Sequence, residues 1–520
     1  MFLLTATETR ECDRRTIEEF GVPGPVLMER AGRGLYSALR RRFDRLNRRR
    51  IWIVCGRGNN GGDGFVLARL LHDDGHNPRV LLTDPAQETS GDASDQVAQL
   101  RSRGVPLQMI TPEVLTDLER LETKDILVDA IFGTGFKGAV AGRKAEIIQA
   151  MNRSRAQIVA VDIPSGLAAD TGQVAGPAVL ASLTVTMAFP KRAFLFWPAR
   201  GYVGEWSVVD IGIPADVLAA VRPTARLLTG PEVAGRIAPF ARNAHKGDRG
   251  KVLIVGGSPG LTGAPCLAAL GAARAGAGLV RVGVPRSLNP ILETKLTEPM
   301  TFPLAETDAG TLGTRARDFL LSLQQEWNAL VLGPGLGRHA ETDRLVRDLF
   351  EGWHGSVIVD ADALNALAAE GLPSVDPLRP APILTPHPGE MARLTGLSVG
   401  EVTADPITTA RRFAQQHGLV VVLKGAPTVI SDPTGSVLVN TTGNPGLATG
   451  GAGDVLSGMI GTFLAQGLEP WWAAGCAVYL HGLSADRLAE GISERSLSPS
   501  DVAVGLAQAW RGLAGESGVS

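Results

Sequence analysis

Cysteine is scarce in this chain. Among 520 residues there are four, Cys12, Cys55, Cys266 and Cys476. They lie far apart and form no CxxC pair, which argues against a disulfide framework and a structural zinc site. Lysine is scarce too, eight against 43 arginines, so any lysine in a loop stands out. No stretch reaches the roughly 20 apolar residues of a membrane span; the Ala-rich segment 264–284 is interrupted by Arg274 and Arg281. The opening MFLLTATETRECDRR turns charged after four apolar residues and lacks the apolar stretch of a signal peptide. The formal net charge of -2 leaves no bulk positive field to drive nucleic-acid binding. A soluble, cytoplasmic enzyme is expected, with neither membrane nor nucleic acid as partner.

What is present is globular material: 44% hydrophobic and 20% charged residues. Single cores rarely exceed roughly 250–300 residues, so two domains are expected. Residues 7–47 read as helical, punctuated at Pro23–Gly24–Pro25. Short apolar runs then alternate with helical stretches: 51–55, 78–82, 125–130, 157–163 and 183–189. A second series follows at 251–257, 278–284, 328–333, 356–361, 382–386 and 419–425. Such alternation predicts α/β architecture, with parallel strands and helices on both faces. Between the series, 211–245 carries Pro214, Pro223, Pro231 and Pro239 and no strong strand. The boundary is placed near 228, giving domains 1–228 and 229–520.

The first apolar run leads into Gly56–Arg57–Gly58–Asn59–Asn60–Gly61–Gly62–Asp63–Gly64, ahead of the helix FVLARLLHDDG. Glycines let backbone approach a ligand, and a helix N-terminus favours anions. The pattern is not GxGxxG, so the dehydrogenase fingerprint does not apply. Asp129 ends another strand, before Gly133–Thr134–Gly135–Phe136–Lys137–Gly138. Asp162 ends the next, before Pro164–Ser165–Gly166. A lone Asp at a strand end is usually a cap; three polar positions at one sheet edge point to a cation site or acid–base work. Lys191 reads equally as a site residue or a solvated loop lysine.

The second half carries Gly450–Gly451–Ala452–Gly453–Asp454 at the start of an apolar helix. Backbone donors beside a single acid suit phosphoryl transfer: the amides hold the transferred group and Asp454 takes the hydroxyl proton. Further polar loops occur at 243–250 (with Lys246), 333–337, 360–365, 385–390 and 424–428. They are expected to define one crevice with the 450–454 loop, with Lys246 and Lys424 as phosphate partners. His387 reads either as a neutral loop histidine tied to a helix cap or, in its Pro-His-Pro-Gly-Glu setting, as a ligand contact.

GRGNNGGDG, VDAIFGTGFKG and VDIPSGL resemble the NAD(P)H-hydrate epimerase domain across residues 1 to about 225. HKGDRGKVLIVGGS, GPGLG, THPGE, KGAPT and NPGLATGGAGDVLSG resemble the ADP/ATP-dependent NAD(P)H-hydrate dehydratases of the ribokinase-like fold, across about 229–515. The resemblance implies a Rossmann-like three-layer first domain. There Asn59 to Asp63 and Gly133 to Ala139 would bind the hydrated dinucleotide, and Asn60, Asp129 and Ser165 would hold potassium. Asp162 would be its catalytic acid. In the second domain, Ala264, Gly335, His387 and Asp454 would face the dinucleotide. Lys424, Gly425, Ala426, Pro427, Thr428 and Gly453 would face ADP or ATP with magnesium, ADP being favoured for a fused bacterial-type chain. The family usually reads GGTGD where this chain has Ala452, so only the backbone donors remain at that position. Homo-oligomers are also implied. The rival reading is a small-molecule kinase, for a hydroxymethylpyrimidine, hydroxyethylthiazole or sugar, with a non-catalytic N-terminal binding domain.

Overall fold

A computed structural model describes residues 1–89 and 91–516; residues 517–520 of the expected second domain lie outside the described residues. The chain forms two compact units, Met1–Thr224 and Ala225–Ser520.

In the first unit, helices α1 (Ala6–Glu18) and α2 (Gly24–Arg42) precede the sheet. Thr5 and Glu8 close a capping box on α1, satisfying two of its free N–H groups. The strands are β1 (Ile51–Cys55), β2 (Arg79–Leu82), β3 (Leu107–Met109), β4 (Ile126–Ala130), β5 (Gln157–Val161), β6 (Leu183–Met187) and β7 (Glu205–Val209), with helices α3 (Asn59–Asp73) and α4 (Gly142–Arg153) among the connections. Their order is β3-β2-β1-β4-β5-β6-β7, every pair parallel. Alternation explains why this sheet is buried on both faces. Ile51, Ile53 and Cys55 enter the core that α2 and α3 cover, while Trp52 and Val54 enter the one that α4 covers. The order reverses between β1 and β4, where a doubly wound sheet opens a crevice at its carboxyl edge.

The second unit begins with β8 (Ala225–Leu227), a three-residue strand inside the segment expected to hold no strong strand. It exists because it pairs with a distant strand, a contact its own sequence does not signal. The others are β9 (Lys251–Val255), β10 (Leu279–Pro285), β11 (Met300–Leu304), β12 (Ala329–Leu332), β13 (Ser356–Val359), β14 (Ile383–Leu384), β15 (Val420–Leu423), β16 (Thr428–Ser431) and β17 (Val437–Asn440). The order β8-β17-β16-β15-β14-β13-β12-β9-β10-β11 is parallel from β15 to β11 and antiparallel at β15–β16 and β16–β17. Its reversal lies between β9 and β12. The main helices are α5 (Gly263–Ala275), α6 (Pro388–Thr395), α7 (Ala452–Ala465) and α8 (Pro470–Ala489).

Helix α7 is buried along nearly its whole length. It packs so closely on α5 that a Cβ added at Gly458 would sit 1.9 Å from the Ala268 carbonyl oxygen. Only glycine allows that approach. Gly458→Val is expected to destabilise the second unit by about 1–3 kcal/mol through overpacking. Urea unfolding of that unit measures it, and an unchanged midpoint would mean the helices do not touch there.

Candidate active sites

Helix α3 starts at Asn59, so Asn59–Gly64 are helical rather than a loop preceding the helix. Three glycines so early in a helix are unfavourable by propensity. Crowding selects them: a Cβ at Gly61 would lie 2.0 Å from the Gly56 carbonyl oxygen. This helix start and the 131–141 loop flank the reversal between β1 and β4. Between them lies a cavity of about 650 Å³, within the range of small-molecule sites.

Asn59, Asn60, Asp63 and Gly133 to Lys137 line that cavity. Gly61 and Gly62 do not; they are buried in the first turn of α3. Gly138 and Ala139 are also outside the lining, exposed where the loop turns away. Phe132 and Phe136, with ring centroids 4.7 Å apart, give the cavity an aromatic wall. Arg57, Lys137 and Lys144 bring positive charge to it.

Asp162 and Lys191 also line the cavity. Lys191 is not a solvated loop residue: its side chain is 1% exposed, and its ammonium lies 2.7 Å from Asp162 Oδ1. It also donates to Thr186 Oγ1, Met187 O and Phe189 O. Burying a lysine demands this many acceptors. Asp162 stands at φ +64°, a left-handed conformation that Asp tolerates better than most residues, and its Oδ1 also accepts from Thr186 Oγ1 and Met187 N.

Asp129 is wholly buried. Its carboxylate accepts from Ile131 N, Ser165 N and, at 2.6 Å, Ser165 Oγ. Asn60 Nδ2 donates to Phe132 O, and Ser165 Oγ accepts from Phe132 N. The three residues matched to potassium therefore meet at one loop. Burial raises the Asp129 carboxyl to about 6.

Asp13 on α1, which the sequence reading did not single out, lines the same cavity. Burial first, and the charge of Asp162 second, raise its carboxyl to about 6, against the opposing pull of Lys191. Burial raises Asp63 well above the usual range, with Asp162 and Asp13 adding to it. In sequence Asp13 hides among Arg10, Arg14 and Arg15, where it reads as a solvated face. The available signal was spacing: Thr9, Asp13 and Ile17, four apart on one helix stripe, all reach the cavity.

In the second unit, loops at the carboxyl edge converge near β9 and β12. A Cβ at Gly335 would meet Ala264 Cβ at 3.1 Å, and Ser258 Oγ donates to Gly335 O. Gly337 N donates to Asp362 Oδ2. Lys424, at the end of β15, lies 3.0 Å from Asp360 Oδ1 and 3.9 Å from Glu390 Oε2. Burial alone would lower its pKa, but Asp360 and Glu390 outweigh that and leave it raised. Beyond it, Gly425 and Ala426 are exposed and Thr428 Oγ1 closes the turn onto Gly425 O. A Cβ at Gly453 would lie 3.3 Å from Lys424 Nζ, which places the two loops side by side.

Asp454 sits in the first turn of α7. Burial, then the charges of Asp360, Asp362 and Glu390, push its carboxyl up to about 7, although Lys424 pulls the other way. A base poised near neutral pH suits proton abstraction from a hydroxyl. Among the described residues no group of three or more His, Cys, Asp or Glu side chains could hold a metal ion.

Of the remaining loops, one keeps both of its readings and one leaves the site. His387 does act as a cap: its Nδ1 accepts from Gly389 N and Glu390 N at the start of α6, leaving the exposed Nε2 3.4 Å from Glu390 Oε1. The 243–250 loop does not join the crevice. It precedes β9, and therefore lies at the amino edge of the sheet, where Gly278 N donates to the carbonyls of Arg249 and Gly250. Gln466, at the far end of α7 from Asp454, donates to Arg249 O. Lys246, exposed on this loop, is thus about 20 Å of helix away from the anion-binding amides.

Residues 252–504 match the family model described as NAD(P)H-hydrate dehydratase, and 24–193 match that of the YjeF-related protein N-terminus. The bifunctional NAD(P)H-hydrate repair enzyme of Moorella thermoacetica is 43% identical, aligned over 96% of this chain and 95% of its own length. That of Salinibacter ruber is 38% identical over 96% and 94%. This chain belongs to the bifunctional NAD(P)H-hydrate repair enzymes. A solved ADP/ATP-dependent NAD(P)H-hydrate dehydratase from Bacillus subtilis, co-crystallised with ATP/Mg2+, is 31% identical, spans 55% of this chain and 98% of its own, and has a TM-score of 0.49. Among the described residues no helix is long and apolar enough to cross a membrane.

In this repair enzyme, dehydration is expected to follow the ionisation of Asp454: kcat/KM should rise with pH through about 7. Lys424→Gln, which removes the cation that lowers it, should move that limb upward. A carboxyl raised from 3.8 to about 7 opposes folding only where it ionises more readily unfolded, so its penalty is absent below pH 3.8 and complete above about 7. Asp454→Asn should therefore stabilise the second unit at pH 8 and have no such effect at pH 4. A limb near pH 4, or equal effects at both pH values, would remove the claim of a raised carboxyl.

Proposed function

We propose that the first unit interconverts R- and S-NAD(P)H hydrate, and that the second dehydrates the S form at the expense of ADP or ATP, returning NAD(P)H, phosphate and the shortened nucleotide. The observation that carries this reading is Asp454, a single carboxyl held near neutral pKa at a helix start, which favours an anion.

Hydrated NAD(P)H carries a hydroxyl on C6, beside the ring nitrogen. Hydroxide leaves poorly. Asp454 takes the hydroxyl proton as the oxygen attacks the terminal phosphorus, and the amides at 450–453 hold the transferring oxygens. Magnesium on the nucleotide phosphates would neutralise their charge. The C6–O bond then breaks with phosphate as leaving group, pushed by the nitrogen lone pair, and loss of the adjacent C5 proton restores the dihydropyridine. His387 Nε2, Ala264 and Gly335 are assigned to the dinucleotide, and Lys424 to Thr428 with Gly453 to the adenine nucleotide.

In the first unit the aromatic wall and basic residues of the cavity suit a ring and its phosphates, and Asp162 is our candidate for the proton transfers at C6. Asn60, Asp129 and Ser165 fit potassium: Asp129 is a fully buried carboxylate with no ion pair among the described residues, and their carboxylate, amide and hydroxyl oxygens suit a hard cation. Potassium there would supply positive charge that steadies the 131–138 loop.

The test is absorbance at 340 nm during incubation of the full chain with mixed R and S hydrated NADH, nucleotide and magnesium. Complete recovery, with a second phase faster than spontaneous epimerisation, is expected. Asp162→Asn should abolish that phase and spare the first. Recovery that stops at the S fraction would leave the first unit a binder; a stable phosphorylated product would instead favour a small-molecule kinase.

A further inference from the structure

The first-unit centre holds more acids than its expected chemistry names. Asp13, Asp63 and Asp162 line one cavity, with Lys191 as the ammonium beside them. Asp162 accepts at Oδ1 from Lys191, Thr186 and Met187. Asp13 is the opposite case. It is half-buried on α1 and makes no hydrogen bond or ion pair among the described residues, yet it is close enough to feel the charges of Asp162 and Lys191. An unpaired carboxyl facing a ligand cavity is unfavourable for folding, which directs attention to function.

We propose that Asp13 is a second catalytic acid–base residue of the epimerase centre, the one that delivers the proton to the departing hydroxyl. The inference rests on the epimerase reading of this unit. C6 can invert by loss and return of the hydroxyl or by opening and closing of the ring; in the first route the C6–O bond breaks and re-forms on the other face. As it breaks, both bonding electrons go to oxygen, the ring nitrogen lone pair fills the gap at C6, and the oxygen takes the proton of Asp13 to leave as water. Water then adds to C6 from the opposite face and gives its extra proton back to the Asp13 carboxylate, which restores the starting state. Nothing is oxidised or reduced, and no further reactant is needed. The division of labour follows from the environments: Asp162 is held by donors, whereas Asp13 feels the charges of Asp162 and Lys191 and itself acts on Asp63 of α3, with Arg10, Arg57, Asp84, Asp92, Lys137 and Lys144 as the other charged groups lining the cavity. Burial and the neighbouring Asp162 carboxylate keep a proton on Asp13 up to about pH 6.

The experiment uses the full chain and mixed R and S hydrated NADH with nucleotide and magnesium. The first phase, dehydration of the S form, reports the second unit; the slower phase reports epimerisation. Asp13→Asn is expected to cut kcat of the slower phase by about a hundredfold or more, with KM and the first phase unchanged, and Asp13→Glu should recover part of it. In the unsubstituted chain the slower phase should decline as pH rises through about 6, because the acid form is the one required. An Asp13→Asn protein with an undiminished slower phase would overturn the proposal. Should that variant fail to fold by circular dichroism, Asp13→Glu and the pH limb decide, and a flat profile overturns it. A slower phase no faster than the spontaneous rate in the unsubstituted chain would instead remove the epimerase reading, and this inference with it.

Discussion

Each unit places one lysine ammonium beneath more than one carboxyl at the carboxyl edge of a parallel sheet. Lys191 has Asp162, with Asp13 and Asp63 nearby; Lys424 has Asp360 and Glu390, with Asp454 nearby. A buried ammonium is tolerated only if acceptors surround it. Once one carboxylate has satisfied it, each additional acid meets both low dielectric and like charge, so its proton becomes harder to remove. Acids tuned for proton transfer therefore arise without dedicated machinery. They are the surplus around a necessary ion pair, and the rest of each unit serves to keep that surplus in place.

Much of this was legible in the sequence. The alternating apolar runs located most of the parallel strands, because a strand buried on both faces must be apolar throughout. The glycine-rich segments fall beside the two sheet reversals, since close backbone approach there admits little else. What escaped has several causes. The three-residue β8 depends on a partner far away in sequence; the edge strand β11 and the short antiparallel β16 and β17 pair with near neighbours but are only four or five residues long and broken by polar residues or proline. Asp13 and the buried state of Lys191 depend on tertiary enclosure, which polar residues in a helix or loop do not announce. The 243–250 loop was misplaced because its composition matched the other polar loops. Its position before a strand, rather than after one, decides the sheet edge on which it lies.

Backbone strain is distributed accordingly. Non-glycine residues at positive φ include Asp162 and Ala188 beside the first cavity and Ala361 next to Asp360 in the second unit. Such conformations cost of order 1–3 kcal/mol each and persist where surrounding packing over-determines them. In the second unit that packing includes the contact of α7 on α5, which anchors the helix carrying Asp454 against the sheet below it.

The division of the chain at Thr224 and Ala225 has a genetic consequence. Every residue assigned to the first centre precedes it, and every residue assigned to the second follows it. Each half of a gene cut at that point would carry one assigned set of residues entire. Fusion would then govern how the two activities are co-produced, in fixed one-to-one proportion, rather than whether either site is complete.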